Sequence, residues 1–219
     1  MMKDDRRIPI VVLISGNGSN LQAIIDAIQN GEVSAEIKAV ISNRPDAYGL
    51  IRAKEAGIPT KVIYHKAFDH RNDFDTALQH CIDSYNPELV VLAGFMRILG
   101  SEFTGHYKGK MLNIHPSLLP AFTGLNTHQR VLDARATEHG VSIHFVTDEL
   151  DGGPVIAQAR IAVHDGDKAE DLANRVLKQE HRIYPLIINW FSEGRIKLEG
   201  KHVLLDENPI LRPIDCTHT

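Results

Sequence analysis

Two polar side chains that could catalyse acyl transfer lie close together in the segment Met111-Leu-Asn-Ile-His-Pro-Ser-Leu-Leu-Pro120. A strand over residues 110–114 would place Asn113 and His115 on the same face, because side chains alternate along a strand. An amide donor beside an imidazole suits the stabilisation of an oxyanion together with proton transfer. The alternative is a histidine that only caps backbone groups in a proline-rich loop.

A carboxylate that could assist His115 follows in the segment Thr147-Asp-Glu-Leu-Asp-Gly-Gly-Pro154. We expect Gly152 and Gly153 to let the backbone turn Asp151 inward. A carboxylate beside an imidazole favours its charged form and fixes its tautomer. Asp-Gly is also a common turn pair, and the sequence alone does not establish a contact.

A glycine-rich turn, Ser15-Gly-Asn-Gly-Ser-Asn20, joins a hydrophobic run to a helical pattern. Backbone N–H groups and the dipole of the following helix would favour an anion there, and phosphate is the expected ligand. The spacing matches neither the dinucleotide pattern GxGxxG nor the P-loop pattern GxxxxGK[ST]. The alternative is a tight turn with no ligand.

The elements that must position these groups alternate between strand and helix up to residue 93. Such alternation predicts an α/β fold with a mixed, mostly parallel twisted sheet and helices on both faces. Ligands of such folds bind at the carboxyl ends of the strands. The predicted strands are Ile8–Ile14, Ile37–Ser42, Lys61–Tyr64, Leu89–Ala93, Lys110–Ile114, Val141–Val146 and Val155–Val163, and the predicted helices are Asn20–Asn30, Tyr48–Ala56, Phe68–Tyr85 and Ala169–Phe191.

The later strands, Val141–Val146 and Val155–Val163, are expected to be an antiparallel addition. Residues 194–205 are expected to form a small hairpin. We expect one domain over residues 1–207 and an irregular tail over residues 208–219.

Composition limits the classes of function. A net charge of −4 predicts no general attraction to nucleic acid or to acidic membranes. Two distant cysteines, Cys81 and Cys216, indicate neither a disulfide framework nor a metal site, and they favour a reducing cytoplasm. No HExxH or GxSxG motif occurs, so we expect no metal and no covalent enzyme intermediate. The N-terminal apolar run is too short for a signal sequence or a membrane span.

Four segments taken together, LISGNGSN, LAGFMRIL, NIHPSLLPAFTG and HFVTDELDGGPVI, closely resemble the phosphoribosylglycinamide formyltransferase family. The resemblance runs in order from about Ile10 to Trp190. It implies the formyltransferase fold, a sheet of about seven strands with a Rossmann-like N-terminal half. It also implies 10-formyltetrahydrofolate as the formyl donor, a place in purine biosynthesis, and Asn113, His115 and Asp151 as the catalytic set.

The same resemblance implies two binding sites. Ribonucleotide contacts would come from Gly18, Ser19, Asn20, Pro116, Gln179 and Glu180, with the turn on the phosphate and Glu180 on the ribose hydroxyls. Folate contacts would come from Arg71, Met96, Arg97, Ile98, Leu99, Asn113, Thr147, Asp148, Glu149, Leu150 and Asp151.

Three other functions remain as alternatives. A formyltetrahydrofolate hydrolase would share the Asn, His and Asp chemistry, but such enzymes carry an extra N-terminal domain, and here the first strand is predicted to begin at residue 8. A transfer-RNA formyltransferase would be expected to have a further C-terminal domain. A non-catalytic nucleotide-binding module would leave Asn113 and His115 without a role. The expected partners are small molecules, and the expected assembly is a monomer or a homodimer.

Overall fold

The computed structural model describes residues 6–218. The first five residues of the expected domain and the last residue of the expected tail therefore lie outside the described part. No helix within the described residues is long and apolar enough to cross a membrane.

The alternation of strand and helix predicted up to residue 93 is confirmed. In chain order the elements are β1 (Ile8–Ile14), α1 (Ser19–Gln29), β2 (Ala35–Ser42), α2 (Gly49–Glu55), β3 (Thr60–Val62), a 3₁₀ turn (His65–Ala67), α3 (Arg71–Asp83), β4 (Leu89–Leu92), α4 (Ser101–His106), β5 (Met111–His115), α5 (Thr127–Asp133), β6 (Glu138–Phe145), β7 (Val155–Ala162), α6 (Ala169–Ser192), β8 (Ile196–Glu199), β9 (His202–Leu205), β10 (Asn208–Pro209) and β11 (Ile214–Asp215).

Within residues 6–218 the main sheet has eight strands in the order β11-β7-β6-β5-β4-β1-β2-β3. Pairing is parallel from β3 through β5, antiparallel for β5 with β6 and for β6 with β7, and parallel for β7 with β11. The mixed, mostly parallel sheet is thus confirmed. The eighth strand is the two-residue β11, which is too short to give a periodic signal in the sequence.

Hydrophobic side chains pack on both faces of the sheet. On β1, Ile10 and Val12 face a core that includes residues of α1, α2 and α6, whereas Val11 and Leu13 face a second core built with α3 and α4. Both faces are covered because β1 is apolar at successive positions, as expected for a strand between two helical layers.

The C-terminal segment differs from the irregular tail that the sequence predicted. The hairpin expected at residues 194–205 is present as β8 and β9, and Asn208 and Pro209 add a third strand to it. Beyond it, β11 pairs with β7, and Cys216 is fully buried. Backbone hydrogen bonds to β7 and burial of one apolar side chain therefore order a segment whose sequence is polar.

Candidate active site

The predicted pair on β5 lies where the sheet changes from parallel to antiparallel pairing. Asn113 and His115 lie on the same face of this strand, and Asn113 is paired with His144 on β6. The Asn113 amide nitrogen Nδ2 lies 3.1 Å from His144 Nε2. Strand register therefore adds a second imidazole to the site.

His144 is held as a neutral hydrogen-bond acceptor. Its Nδ1 donates to the Phe145 carbonyl oxygen at 2.9 Å, so Nε2 is left to accept from Asn113. The side chain is only 2% exposed, and burial lowers the pKa of this imidazole. Neutral His144 consequently fixes the orientation of the Asn113 amide.

Asp151 and His115 lie side by side, a contact that the sequence alone does not establish. Asp151 Oδ2 lies 3.4 Å from His115 Nδ1, and both side chains are 8% exposed. The same oxygen accepts the Gly124 N–H at 2.8 Å. The other carboxylate oxygen lies 4.0 Å from His144 Nε2, so Asp151 lies between the two imidazoles.

His115 also makes the backbone contact that was considered as an alternative. Its Nε2 lies 3.0 Å from the Phe122 carbonyl oxygen, in the loop between β5 and α5. Capping of a backbone carbonyl and pairing with Asp151 therefore occur on opposite edges of one ring.

The turn that carries Asp151 directs its carboxylate inward, as expected, but not because of the backbone freedom of Gly152 and Gly153. The left-handed backbone conformation is at Asp151 itself, with φ of 52°, and not at the glycines behind it. Glycine is required at 153 for space, since a Cβ there would lie 1.8 Å from the Phe145 carbonyl oxygen. The turn is thus pressed against the end of β6.

The glycine-rich turn lies at the N-terminus of α1. Gly18 has φ of 74°, and a Cβ there would lie 2.6 Å from the Gly49 Cα, so both conformation and space require glycine. Arg52 on α2 donates to the carbonyl and side-chain oxygens of Asn17, each at 2.9 Å. A fixed positive charge therefore adjoins the turn, which suits an anion.

Helix α6 connects this turn to strands β4 and β5. Asn20 Nδ2 donates to Glu180 Oε2 at 2.7 Å, and Glu180 is buried, which raises the pKa of its carboxyl group. The Tyr184 hydroxyl, one helical turn later, lies 2.9 Å from the Leu92 carbonyl oxygen and 3.1 Å from that of Leu112. Helix α6 therefore contacts both the glycine-rich turn and strands β4 and β5.

The predicted folate segment is the loop between β4 and α4. Leu99 packs into the core, whereas Met96 and Ile98 are 66% and 57% exposed. Arg97 is partly buried, with its guanidinium over the Phe74 ring. The outer side of this loop thus offers apolar side chains beside a positive charge, a combination that suits an aromatic ligand carrying carboxylates.

The remaining predicted contacts lie around these groups. Arg71 is exposed at the start of α3, Pro116 directly follows β5, and the Gln179 side chain accepts a hydrogen bond from Arg182. The stretch Thr147, Asp148, Glu149 and Leu150 forms a largely exposed loop before Asp151. Across the described chain, no group of three or more His, Cys, Asp or Glu side chains could hold a metal ion.

Comparison with known proteins assigns the family. The model of the family described as formyl transferase matches residues 8–188. This chain belongs to the formyl transferase family. The matched residues include the turn at residues 15–20, Asn113, His115 and Asp151, and the α6 residues that contact the site.

Several named or structurally solved members of the formyl transferase family align with most of this chain. Phosphoribosylglycinamide formyltransferase of Escherichia coli is 56% identical over 197 residues, which are 90% of this chain and 93% of that protein. The Haemophilus influenzae protein of the same name is 49% identical over the same shares of both chains. The structure of the Coxiella burnetii phosphoribosylglycinamide formyltransferase, in complex with CHES, has a TM-score of 0.92 at 56% identity and covers 96% of this chain and 99% of that one.

Sequence reasoning did not assign a role to His144, Arg52 or the backbone groups of Phe122 and Gly124. The position of His144 opposite Asn113 depends on the antiparallel register of β5 and β6. Arg52 reaches the turn from another helix. No local motif marks these contacts, although the alternation of Ser142 and His144 on one strand face could have suggested a second polar group.

Proposed function

We propose that this protein transfers the formyl group of 10-formyltetrahydrofolate to the amine of 5'-phosphoribosylglycinamide. The products are formylglycinamide ribonucleotide and tetrahydrofolate, and the reaction belongs to de novo purine biosynthesis. The observation that carries this proposal is the contact of Asp151 with His115 beside Asn113. The names of the bacterial relatives support the choice of substrates.

We propose that the ribonucleotide binds between the turn and α6. The backbone N–H groups of Gly18, Ser19 and Asn20 would hold the phosphate, with Arg52 adding positive charge nearby. Glu180 would accept hydrogen bonds from the ribose hydroxyls. Asn20 supports this placement, since its Oδ1 is buried without a partner among the described residues and can take a further donor.

We propose that the folate binds on the opposite side of β5. Its pterin ring would lie against the segment Met96–Leu99 and the loop Thr147–Asp151, where apolar and backbone groups are both available. Arg71 and Arg97 would face the carboxylates of its glutamate tail. The formyl carbon would then lie close to Asn113.

In the proposed mechanism the neutral amine attacks the formyl carbon directly, and a tetrahedral oxyanion forms. The free N–H of the Asn113 amide and the Nε2–H of protonated His115 would donate to this oxygen. His115 therefore exchanges its hydrogen bond to the Phe122 carbonyl for one to the oxyanion. One such donor is typically worth about 2.7 to 4 kcal/mol of transition-state stabilisation.

Asp151 has two proposed roles in this sequence of steps. It would hold His115 as the imidazolium through Nδ1, and it would help a water molecule carry the proton from the attacking nitrogen to the leaving folate nitrogen. The amine loses one proton and tetrahydrofolate gains one, so the step balances without another reactant.

The proposal is tested by mixing the protein with 10-formyltetrahydrofolate, with and without phosphoribosylglycinamide, and following folate absorbance. We expect a change only when the ribonucleotide is present. A change without it would indicate the hydrolase, and no change under either condition would indicate a non-catalytic binding module.

We also propose a cytoplasmic location, as a monomer or homodimer, since all the expected ligands are small soluble metabolites. Fractionation and sedimentation measurements would test both statements.

A further inference from the structure

A buried carboxylate with no assigned role lies on α3, next to the proposed folate site. Asp75 is 7% exposed. Its Oδ2 accepts the Gly100 N–H at 2.8 Å. Gly100 is the residue at which the segment Met96–Leu99 ends and α4 begins. Asp75 therefore fixes the last point of the loop that is proposed to contact the folate.

The other end of the same loop is fixed in a similar way. The Met96 N–H donates to Ser15 Oγ at 2.7 Å. Between these two anchors the loop has no backbone pairing with the sheet, and it presents Met96 and Ile98 outward. Loss of either anchor would free one end of the folate-facing surface.

The carboxylate of Asp75 also interacts electrostatically with the two arginines of the proposed folate site. Burial raises the pKa of its carboxyl group, and the Gly100 hydrogen bond and the positive charges of Arg71 and Arg97 oppose that rise. A Cβ on Gly100 would lie 3.0 Å from Asp75 Oδ2 and 3.6 Å from Arg71 Nη2. The guanidinium of Arg71 thus passes Gly100 on the side of the carboxylate.

Hydrogen-bonding capacity in this cluster remains unused. Among the described residues, Asp75 Oδ1 and Arg97 Nε are both buried and have no hydrogen-bond partner. A buried acceptor and a buried donor without partners are costly unless another state or a ligand satisfies them. The two unpaired groups destabilise the fold, and a role of Asp75 and Arg97 in ligand binding would account for their presence.

We propose that Asp75 is a positioning residue for the folate: it anchors the segment Met96–Leu99 at Gly100 and orients Arg71 and Arg97 toward the glutamate tail. This inference rests on the proposed function. Asp75 itself does not touch the reacting atoms. Its effect should appear in folate affinity and not in the rate of the chemical step.

The test compares Asp75→Ala and Asp75→Asn with Asp73→Ala and Asp73→Asn, since Asp73 is an exposed carboxylate on the same helix. Asp75→Ala removes the acceptor for the Gly100 N–H, and we expect it to raise the KM for 10-formyltetrahydrofolate about tenfold. Asp75→Asn keeps an acceptor oxygen but removes the charge, and an increase of about threefold is expected. The turnover number and the ribonucleotide KM should stay within about twofold of wild type in both variants.

A second substrate separates positioning from general damage to the fold. With the primary amide of 10-formyltetrahydropteroic acid, which lacks the glutamate and any carboxylate, the arginines have no anionic group to bind, so we expect the effect of Asp75→Asn on KM to disappear. The inference is overturned if Asp75→Asn raises the KM of both substrates together, if turnover falls while the KM for 10-formyltetrahydrofolate stays unchanged, or if the Asp75 variants match the Asp73 controls. If Asp75→Ala does not fold, the Asp75→Asn comparison decides. Absence of transfer by the wild-type protein would instead reject the proposed function.

Discussion

At the scale of single residues, the site is a chain of contacts in which each group constrains the next. His144 orients Asn113, and Asp151 contacts His115 while it accepts the Gly124 N–H. The sequence singled out Asn113, His115 and Asp151 as candidates because each lies in a distinctive segment. It did not identify His144, because that contact exists only in the paired strands.

Asp151→Asn should abolish most turnover while leaving ribonucleotide binding nearly unchanged. An amide cannot stabilise the His115 imidazolium or take up a proton, and we expect a loss of about 10² to 10⁴ in kcat. Calorimetric titration with the ribonucleotide and steady-state kinetics measure the two quantities. Asp165→Asn, in an exposed loop, is the control. Turnover near the wild-type value would remove Asp151 from the catalytic set.

His144→Phe should lower kcat about tenfold, since the Asn113 amide loses the acceptor that fixes it. The exposed His202 on β9 offers a matched control, His202→Phe. Steady-state kinetics at saturating concentrations of both substrates gives the comparison. Equal kcat values for the two variants would contradict the role assigned to His144.

At the scale of elements, the longer strands and helices were predictable, as was the seven-residue α2, whose end is marked by Gly57 and Pro59, whereas α4, α5 and the two-residue strands β10 and β11 were not. The periodic spacing of Phe74, Leu78 and Ile82 predicted α3, and these three residues are buried as expected. The helices α4 and α5 have six and seven residues, too few for a clear period, and they were not predicted. Both adjoin the candidate site, so its surroundings were less predictable than the candidate residues Asn113, His115 and Asp151.

The turn at Asp151 provides a test at this scale. Gly153→Ala would place a Cβ against the Phe145 carbonyl, and backbone must move to relieve the overlap. We expect a loss of about 1 to 3 kcal/mol in the free energy of unfolding, together with reduced kcat because Asp151 shifts. Urea denaturation and kinetics measure both effects.

The control for this variant is Gly105→Ala, where the added Cβ has no atom within 4 Å and the glycine is within α4. Replacement of a helical glycine by alanine should be neutral or stabilising. If the two variants have the same stability, close packing of the Asp151 turn is not what requires glycine at position 153.

At the scale of the whole molecule, the fold class followed from the sequence, whereas the strand count and the C-terminus did not. The apolar run of β1 and the helices on either side of it determine a sheet with two covered faces. By contrast, β11 depends on pairing with a strand more than fifty residues away in sequence, which no local pattern encodes.

Buried histidines should make the stability of the whole molecule depend on pH. His139 is 1% exposed and shares a 2.9 Å hydrogen bond with His128. Burial, with smaller contributions from His128 and His115, lowers its pKa from 6.5 to about 4. Between these values the unfolded chain binds a proton that the native state does not, so the free energy of unfolding falls as the pH is lowered from 6.5 toward 4.

The contribution of His139 over that interval is about 3 kcal/mol. His139→Phe should therefore show a smaller loss of stability between pH 7.5 and 4.5 than the wild type, measured by urea denaturation. His80→Phe, at an exposed position, should keep the wild-type pH dependence. If His139→Phe loses as much stability between pH 7.5 and 4.5 as the wild type, the assignment to His139 is contradicted.

The contacts of α6 have a consequence for the choice of acceptor. Glu180 and Tyr184 are one turn apart on a single helix, the first beside the glycine-rich turn and the second hydrogen-bonded to the carbonyl oxygens of Leu92 on β4 and Leu112 on β5. With the proposed substrates, this rigid helix fixes the distance between the position of the phosphate and the position of the attacking amine. Two amines of similar basicity would then be distinguished by the distance between their phosphate and their amino group. An amine in which this distance is too short or too long would bind without being formylated.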